Sequence, residues 1–150
     1  MALPVSAGGI LLASDINAFL TTAWTNYTPT ITASGGSFSL GNGSVAGEYH
    51  RITGSNFIRV NIKFTCGSTT SFGSGYMQFT APVNATADAV TYRVGRSYIN
   101  DVSTQSRPGS ARLESVGIII ADNSGGVVTG TSPMTWANTD TMVISIDYEV

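Results

Sequence analysis

The chain has 150 residues, 11% of them charged, with a formal net charge of −2, whereas an ordinary soluble domain carries roughly 25% charged residues. That length fits one domain with its own core, and the 42% apolar content excludes a disordered chain. The balance also excludes a helical coiled coil and a basic nucleic-acid binder, and no apolar run approaches the roughly 20 residues of a membrane span.

Residues 1–13 carry no charged side chain, and no Lys or Arg precedes Arg51. A secretory signal needs a basic leading region, so the start reads as mature protein made in a reducing cytosol. Pro4 biases Leu3 to extended backbone, and residues 6–9 form a flexible joint. The only helix the pattern offers runs over 15–23. Ser14 suits the N-cap, Asp15 the first turn, and Ile16, Phe19 and Leu20 share one face. About nine residues cannot hold a helix alone. Residues 1–23 are therefore expected to be an anchoring arm that orders on docking. Its partner-binding residues would be Leu3, Pro4, Val5, Ile10, Leu11, Leu12, Ile16, Phe19 and Leu20, set against the main domain, a neighbouring subunit or another protein.

From Trp24 onward the period is two. In 56–64, Ile58, Val60, Ile62 and Phe64 point one way while Arg59, Asn61 and Lys63 point the other. In 142–150, Met142, Ile144, Ile146, Tyr148 and Val150 alternate with Val143, Ser145, Asp147 and Glu149. Further strands are expected over 28–33, 47–52, 76–80, 89–99 and 112–121. The run Val116-Gly117-Ile118-Ile119-Ile120 is apolar on both faces, as in a doubly covered central strand or one at a subunit interface. Turn chemistry falls at 34–36, 41–43, 53–55, 106–109 and 122–126. This spacing implies an antiparallel β-sandwich or jelly roll of about eight strands over 24–150.

Chemistry is sparse. His50 is the only histidine and Cys66 the only cysteine. A zinc site needs three or four ligands of the His, Cys or carboxylate kind, so no metal or cofactor is expected. Strand alternation puts His50 and Tyr49 on opposite faces, and His50 reads as a surface or interface imidazole. Cys66 reads as a small buried side chain. The lone cysteine also precludes an intrachain disulfide. Asp147 and Glu149 share a strand face about 7 Å apart, a spacing that loosely suits a glycosidase pair but more often marks a solvated face. Asp101 and 122–125 lack the dense acidic alternation of a calcium loop. Ser71-Phe72-Gly73-Ser74-Gly75 has no helix after it to receive a phosphate. The six arginines are scattered and suit ion pairs within a subunit interface. Trp24 and Trp136 read as packing residues, and Tyr27 and Tyr49 as half-buried with hydroxyls at the polar edge. No catalytic residue is assigned.

Trp24-Thr25-Asn26-Tyr27-Thr28-Pro29-Thr30 resembles the W-x-x-Y-x-P-T opening of small virion proteins of tailed bacteriophages, especially those infecting actinobacteria. Gly47-x-Tyr49-x-Arg51-Ile52, the strand 57–64, Phe79-Thr80-Ala81-Pro82-Val83 and Pro133-Met134-Thr135-Trp136-Ala137…Asp140 are similar too. The chain departs from the family at 52–56, where a tighter R-V-G turn is commoner, and at Ala81, where Leu is commoner. The resemblance covers 24–150. It implies a β-sandwich or jelly-roll head that forms homotrimers, of the kind found in capsid decoration proteins, head fibres and receptor-binding tail tips. The expected function is a virion structural protein, not an enzyme. It would decorate the capsid by docking its arm on the major capsid protein. The alternative is a tail-tip protein that recognises a host surface glycan through loops 68–75 and 99–109. Neither version calls for nucleic acid or a membrane as partner.

Overall fold

The computed structural model describes residues 23–51, 55–84, 93–115, 118–123 and 126–150. The arm residues from Leu3 to Leu20 lie outside the described residues, as does the expected helix over 15–23 apart from Ala23.

Among the described residues the fold is all-β and wholly antiparallel, in the β-sandwich-like class. Ten strands build one curled sheet: β1 (Thr25–Tyr27), β2 (Ile31–Ala33), β3 (Ser44–Arg51), β4 (Phe57–Thr65), β5 (Met77–Thr80), β6 (Arg93–Asn100), β7 (Ser106–Ser115), β8 (Ile118–Asn123), β9 (Gly126–Val127) and β10 (Thr141–Glu149). Their order is β1-β3-β4-β10-β6-β7-β8-β5-β2, with β9 paired to β8.

The two borders of this sheet are strands of three residues each. Both belong to one stretch of chain, since only Thr28, Pro29 and Thr30 separate them. The sheet therefore curls until its borders meet. Pro29 is buried at the switch. It has no N–H to donate, which suits a point where ladder partners change. Beyond it Thr30 takes up pairing with Thr80: its N–H donates to Thr80 Oγ1 (2.8 Å), and its carbonyl accepts from the Thr80 N–H (3.0 Å). Of the strand expected over 28–33 only β2 forms; Thr28, Pro29 and Thr30 are the link to β1, where Pro29 forbids a continuous ladder. Short border strands also leave little backbone for another chain to pair with.

Burial follows the alternation read in the sequence. β4 buries Ile58, Val60, Ile62 and Phe64, and β10 buries Met142, Ile144, Ile146 and Tyr148. Met77, Phe79, Ile99, Ala111, Leu113 and Ile119 complete the same core. One end is filled by Phe38, Phe64, Phe72 and Trp136, whose rings contact one another with centroids 5.5–6.3 Å apart. The Trp136 indole N–H donates to the Thr129 carbonyl (2.9 Å), which satisfies its one buried donor.

Two expectations are corrected. Residues 112–121 are not one strand: β7 ends at Ser115, and Ser115 stands opposite Ile118 in the antiparallel β7–β8 pair. A run apolar on both faces looks the same whether the chain continues or doubles back. Residues 106–109 open β7 instead of making a turn. Hydrogen bonds from Cys66 N–H to Asp140 and from Val150 N–H to Asn56 show that even-numbered positions along β10 bond to β4. Odd positions of β10 then face β6, and the same parity makes Tyr98–Pro108 a pair that exchanges no hydrogen bonds. The N–H that Pro108 lacks would point away from β6, past the last β7–β8 pair at Gly109 and Asn123. A proline is tolerated there.

Candidate functional site

The core claims one face of each long strand, so chemistry open to a ligand lies on the other. The strand register arranges that outer face in rows. One row is Ala46, Lys63, Val143, Tyr98 and Pro108 across β3, β4, β10, β6 and β7. All five are exposed; Tyr98 is 50% and Val143 40% exposed, and Val102 in the following loop is 60% exposed. The next row is Glu48, Asn61, Ser145, Arg96 and Ser110, in which Asn61 Nδ2 donates to Glu48 Oε1 (3.0 Å). The third is His50, Arg59 and Asp147, with the exposed Trp24 ring 5.4 Å from the His50 ring.

A depression opens between the second and third rows. The β10–β6 ladder ends at Ser145 and Arg96, although β10 continues to Glu149 and β6 begins at Arg93. Gly95 marks the divergence. A Cβ there would lie 2.2 Å from the Ser145 carbonyl oxygen and 2.7 Å from Ile146 Cα, so only glycine lets β6 approach β10 this closely. Past that contact the gap forms an open cavity of about 520 Å3 lined by Arg59, Gly95, Arg96, Ser145 and Asp147. By the parity of β10, the backbone N–H and carbonyl of Asp147 face this gap.

The charges at the cavity are held in place. Arg59 donates through Nε to Asp147 Oδ1 and through Nη2 to Oδ2, both at 2.8 Å. These bonds keep the Asp147 carboxyl below the usual carboxylate range. Asp147 is therefore ionised and oriented, which suits an acceptor and not a general acid.

The other candidates resolve into structural roles. Cys66 is buried, its Sγ donates to the Gly67 carbonyl (3.5 Å), and burial pushes the thiol up. Asp101 accepts from the Ser103 N–H (3.0 Å) and from the Ser103 and Thr104 hydroxyls, which hold its carboxyl low. Glu149 stands opposite Phe57 on the outer face, one position beyond Asp147. Side chains of 122–125 lie outside the described residues. Loop 68–75 is tied to its neighbour: Asn42 Oδ1 accepts from the Thr69 N–H (3.0 Å), Asn42 Nδ2 donates to Ser68 Oγ (3.0 Å), and Thr70 Oγ1 donates to the Leu40 carbonyl (2.7 Å). Of 99–109 only the stretch between β6 and β7 is a loop. The Tyr27 hydroxyl, expected at a polar edge, is buried with no hydrogen-bond partner among the described residues.

Sequence reasoning put Arg59 and Asp147 outward but did not bring them together. Arg96 and Ser145 were missed as a set because only strand order makes β4, β10 and β6 neighbours. Asp140 was also missed: it is buried, and its carboxylate accepts from the Val102 (3.0 Å) and Ala137 (2.7 Å) N–H groups. Among the described residues no group of three or more His, Cys, Asp or Glu is placed to hold a metal ion, and no helix is long and apolar enough to cross a membrane. No family model, curated protein or solved structure matches the chain.

Proposed function

We propose that the chain is a structural protein of a tailed-bacteriophage virion, a homotrimeric capsid decoration protein. In this reading residues 1–23 dock on the major capsid protein, and three β bodies associate above it and stabilise the shell. The observation that carries the reading is the exposed row Ala46, Lys63, Val143, Tyr98 and Pro108. A strip that sets an aromatic ring and aliphatic neighbours around Lys63 suits contact with another copy of the chain. The short borders favour association through faces over strand addition. The resemblance of sequence motifs within 24–150 to those of small phage virion proteins suggests the setting. The polar groups best suited to chemistry also favour adhesion over turnover: Asp140, Asp101 and Asn42 are each taken up in hydrogen bonds that hold loops.

A second reading, a tail-tip protein that recognises a host glycan, is favoured by one observation, the polar depression over Gly95. Electron microscopy of virions with the protein labelled separates the two. Label spread over the head supports decoration; label confined to the tail tip replaces it with the second reading. Size-exclusion chromatography with light scattering should give about three times 15.6 kDa.

A further inference from the structure

We propose that the depression between β10 and β6 binds a single acidic sugar residue, one that carries a carboxylate or phosphate on a polyhydroxylated ring. The inference concerns what the cavity recognises. It holds for a body on the head or the tail, so its failure leaves the decoration reading standing.

Three features of the lining carry the proposal. First, the charge is unbalanced. Among the described residues the lining has two guanidinium groups, Arg59 and Arg96, against the one carboxylate of Asp147. Arg59 and Asp147 neutralise each other through two bonds of 2.8 Å, which leaves one positive charge, at Arg96. A planar guanidinium is matched by a carboxylate or phosphate that accepts two of its N–H groups.

Second, the rest of the lining is hydroxyl chemistry. Ser145 contributes a donor and acceptor, and each Asp147 oxygen keeps a lone pair after it accepts from Arg59. The backbone N–H and carbonyl of Asp147 face the gap where the ladder has stopped. These are fixed donors and acceptors spaced along a strand, as the hydroxyls of a sugar ring require. A bare inorganic anion would use Arg96 and leave the acceptors idle.

Third, the size fits. A cavity of about 520 Å3 lies within the range of small-molecule sites, roughly 300–1,000 Å3, and suits one sugar ring with its water. Its openness to one side fits a residue presented by a longer chain. The floor is rigid because Gly95 is pressed against the Ser145 carbonyl, and because β10 remains paired to β4 along its whole length.

The test is titration of the full-length 15N-labelled chain, followed by amide shifts. The probes are glucuronic acid, glucose 1-phosphate, glucose and inorganic phosphate. Shifts are expected at Gly95, Arg96, Ser145 and Asp147 with one or both acidic sugars, with Kd on the order of 1 mM for an exposed ion pair and a few hydrogen bonds. Whichever acidic sugar binds more tightly identifies the anionic group. Arg96→Gln should weaken binding at least tenfold, and Arg51→Gln, on β3 two strands away from β10, should not. Dispersion of the Arg96→Gln spectrum confirms that the variant is folded. If it is not, Ser145→Ala supplies the same comparison with a smaller loss. The proposal is overturned if none of the probes shifts these amides, if glucose binds as tightly as the acidic sugars, or if inorganic phosphate alone does.

Discussion

Tyr27 stands directly opposite Gly47 in the β1–β3 pair, and a Cβ at Gly47 would come within 2.4 Å of its Cε1. The ring occupies the space a side chain would take, and Tyr49 meets it edge-on with centroids 6.0 Å apart. Gly47→Ala should therefore destabilise the fold by about 1–3 kcal/mol through overpacking, read as a lower urea midpoint. Tyr27→Phe should be neutral or stabilising by up to about 1 kcal/mol, because the hydroxyl it removes is buried and unpartnered. A loss above 1 kcal/mol in the second variant would show that the hydroxyl has a partner.

Asp140 joins two loops through its carboxylate. Asp140→Ala would remove the acceptor of the Val102 and Ala137 N–H groups and should cost about 1–3 kcal/mol. Asp140→Asn keeps one acceptor oxygen and should cost less. Urea unfolding of both variants checks the order.

Arg59 and Asp147 give a pH signature. The folded Asp147 carboxyl lies below its unfolded value, so the pair's contribution is present above the unfolded value and is lost as pH falls through the folded one. The side chains are 52% and 47% exposed, which limits that contribution to less than about 1 kcal/mol. Arg59→Ala should raise the Asp147 carboxyl toward the ordinary range in a carboxyl-detected NMR titration, with little change in stability at neutral pH. An unmoved titration would show that the guanidinium does not set it.

The two tryptophans should report separately. Trp24 is 43% exposed and Trp136 8%. Trp24→Phe should leave blue-shifted emission that acrylamide quenches poorly. Trp136→Ala should cost about 3–5 kcal/mol, since it empties the aromatic end of the core.

Cys66 should be inert in the folded state. Its burial and raised thiol predict a slow reaction with a disulfide reagent in buffer and a fast one in concentrated urea. Rapid labelling of the native protein would place the thiol in reach of solvent.

The long strands were legible because their alternation is strict. β4 and β10 could be read residue by residue, down to which side chains enter the core. The β7–β8 hairpin was not legible, because hydrophobicity on both faces carries no mark of reversal. Pro108 misled for a related reason: a proline forbids a ladder bond only where its N–H would point at a partner, and that depends on register. The same gap hid the depression. Arg59, Arg96 and Asp147 are far apart in sequence, and only the placement of β10 between β4 and β6 brings them to one cavity.

That placement has a consequence for biosynthesis. The last of the described strands to be synthesised lies in the middle of the sheet, and the clasp formed by 25–33 can shut only once both flanks are joined across it. An emerging chain short of residues 141–149 holds two half-walls with apolar flanks and nothing to join them. Joining of the two flanks then waits on residues 141–149, and a copy terminated before them would be left open for the cell's proteases to remove.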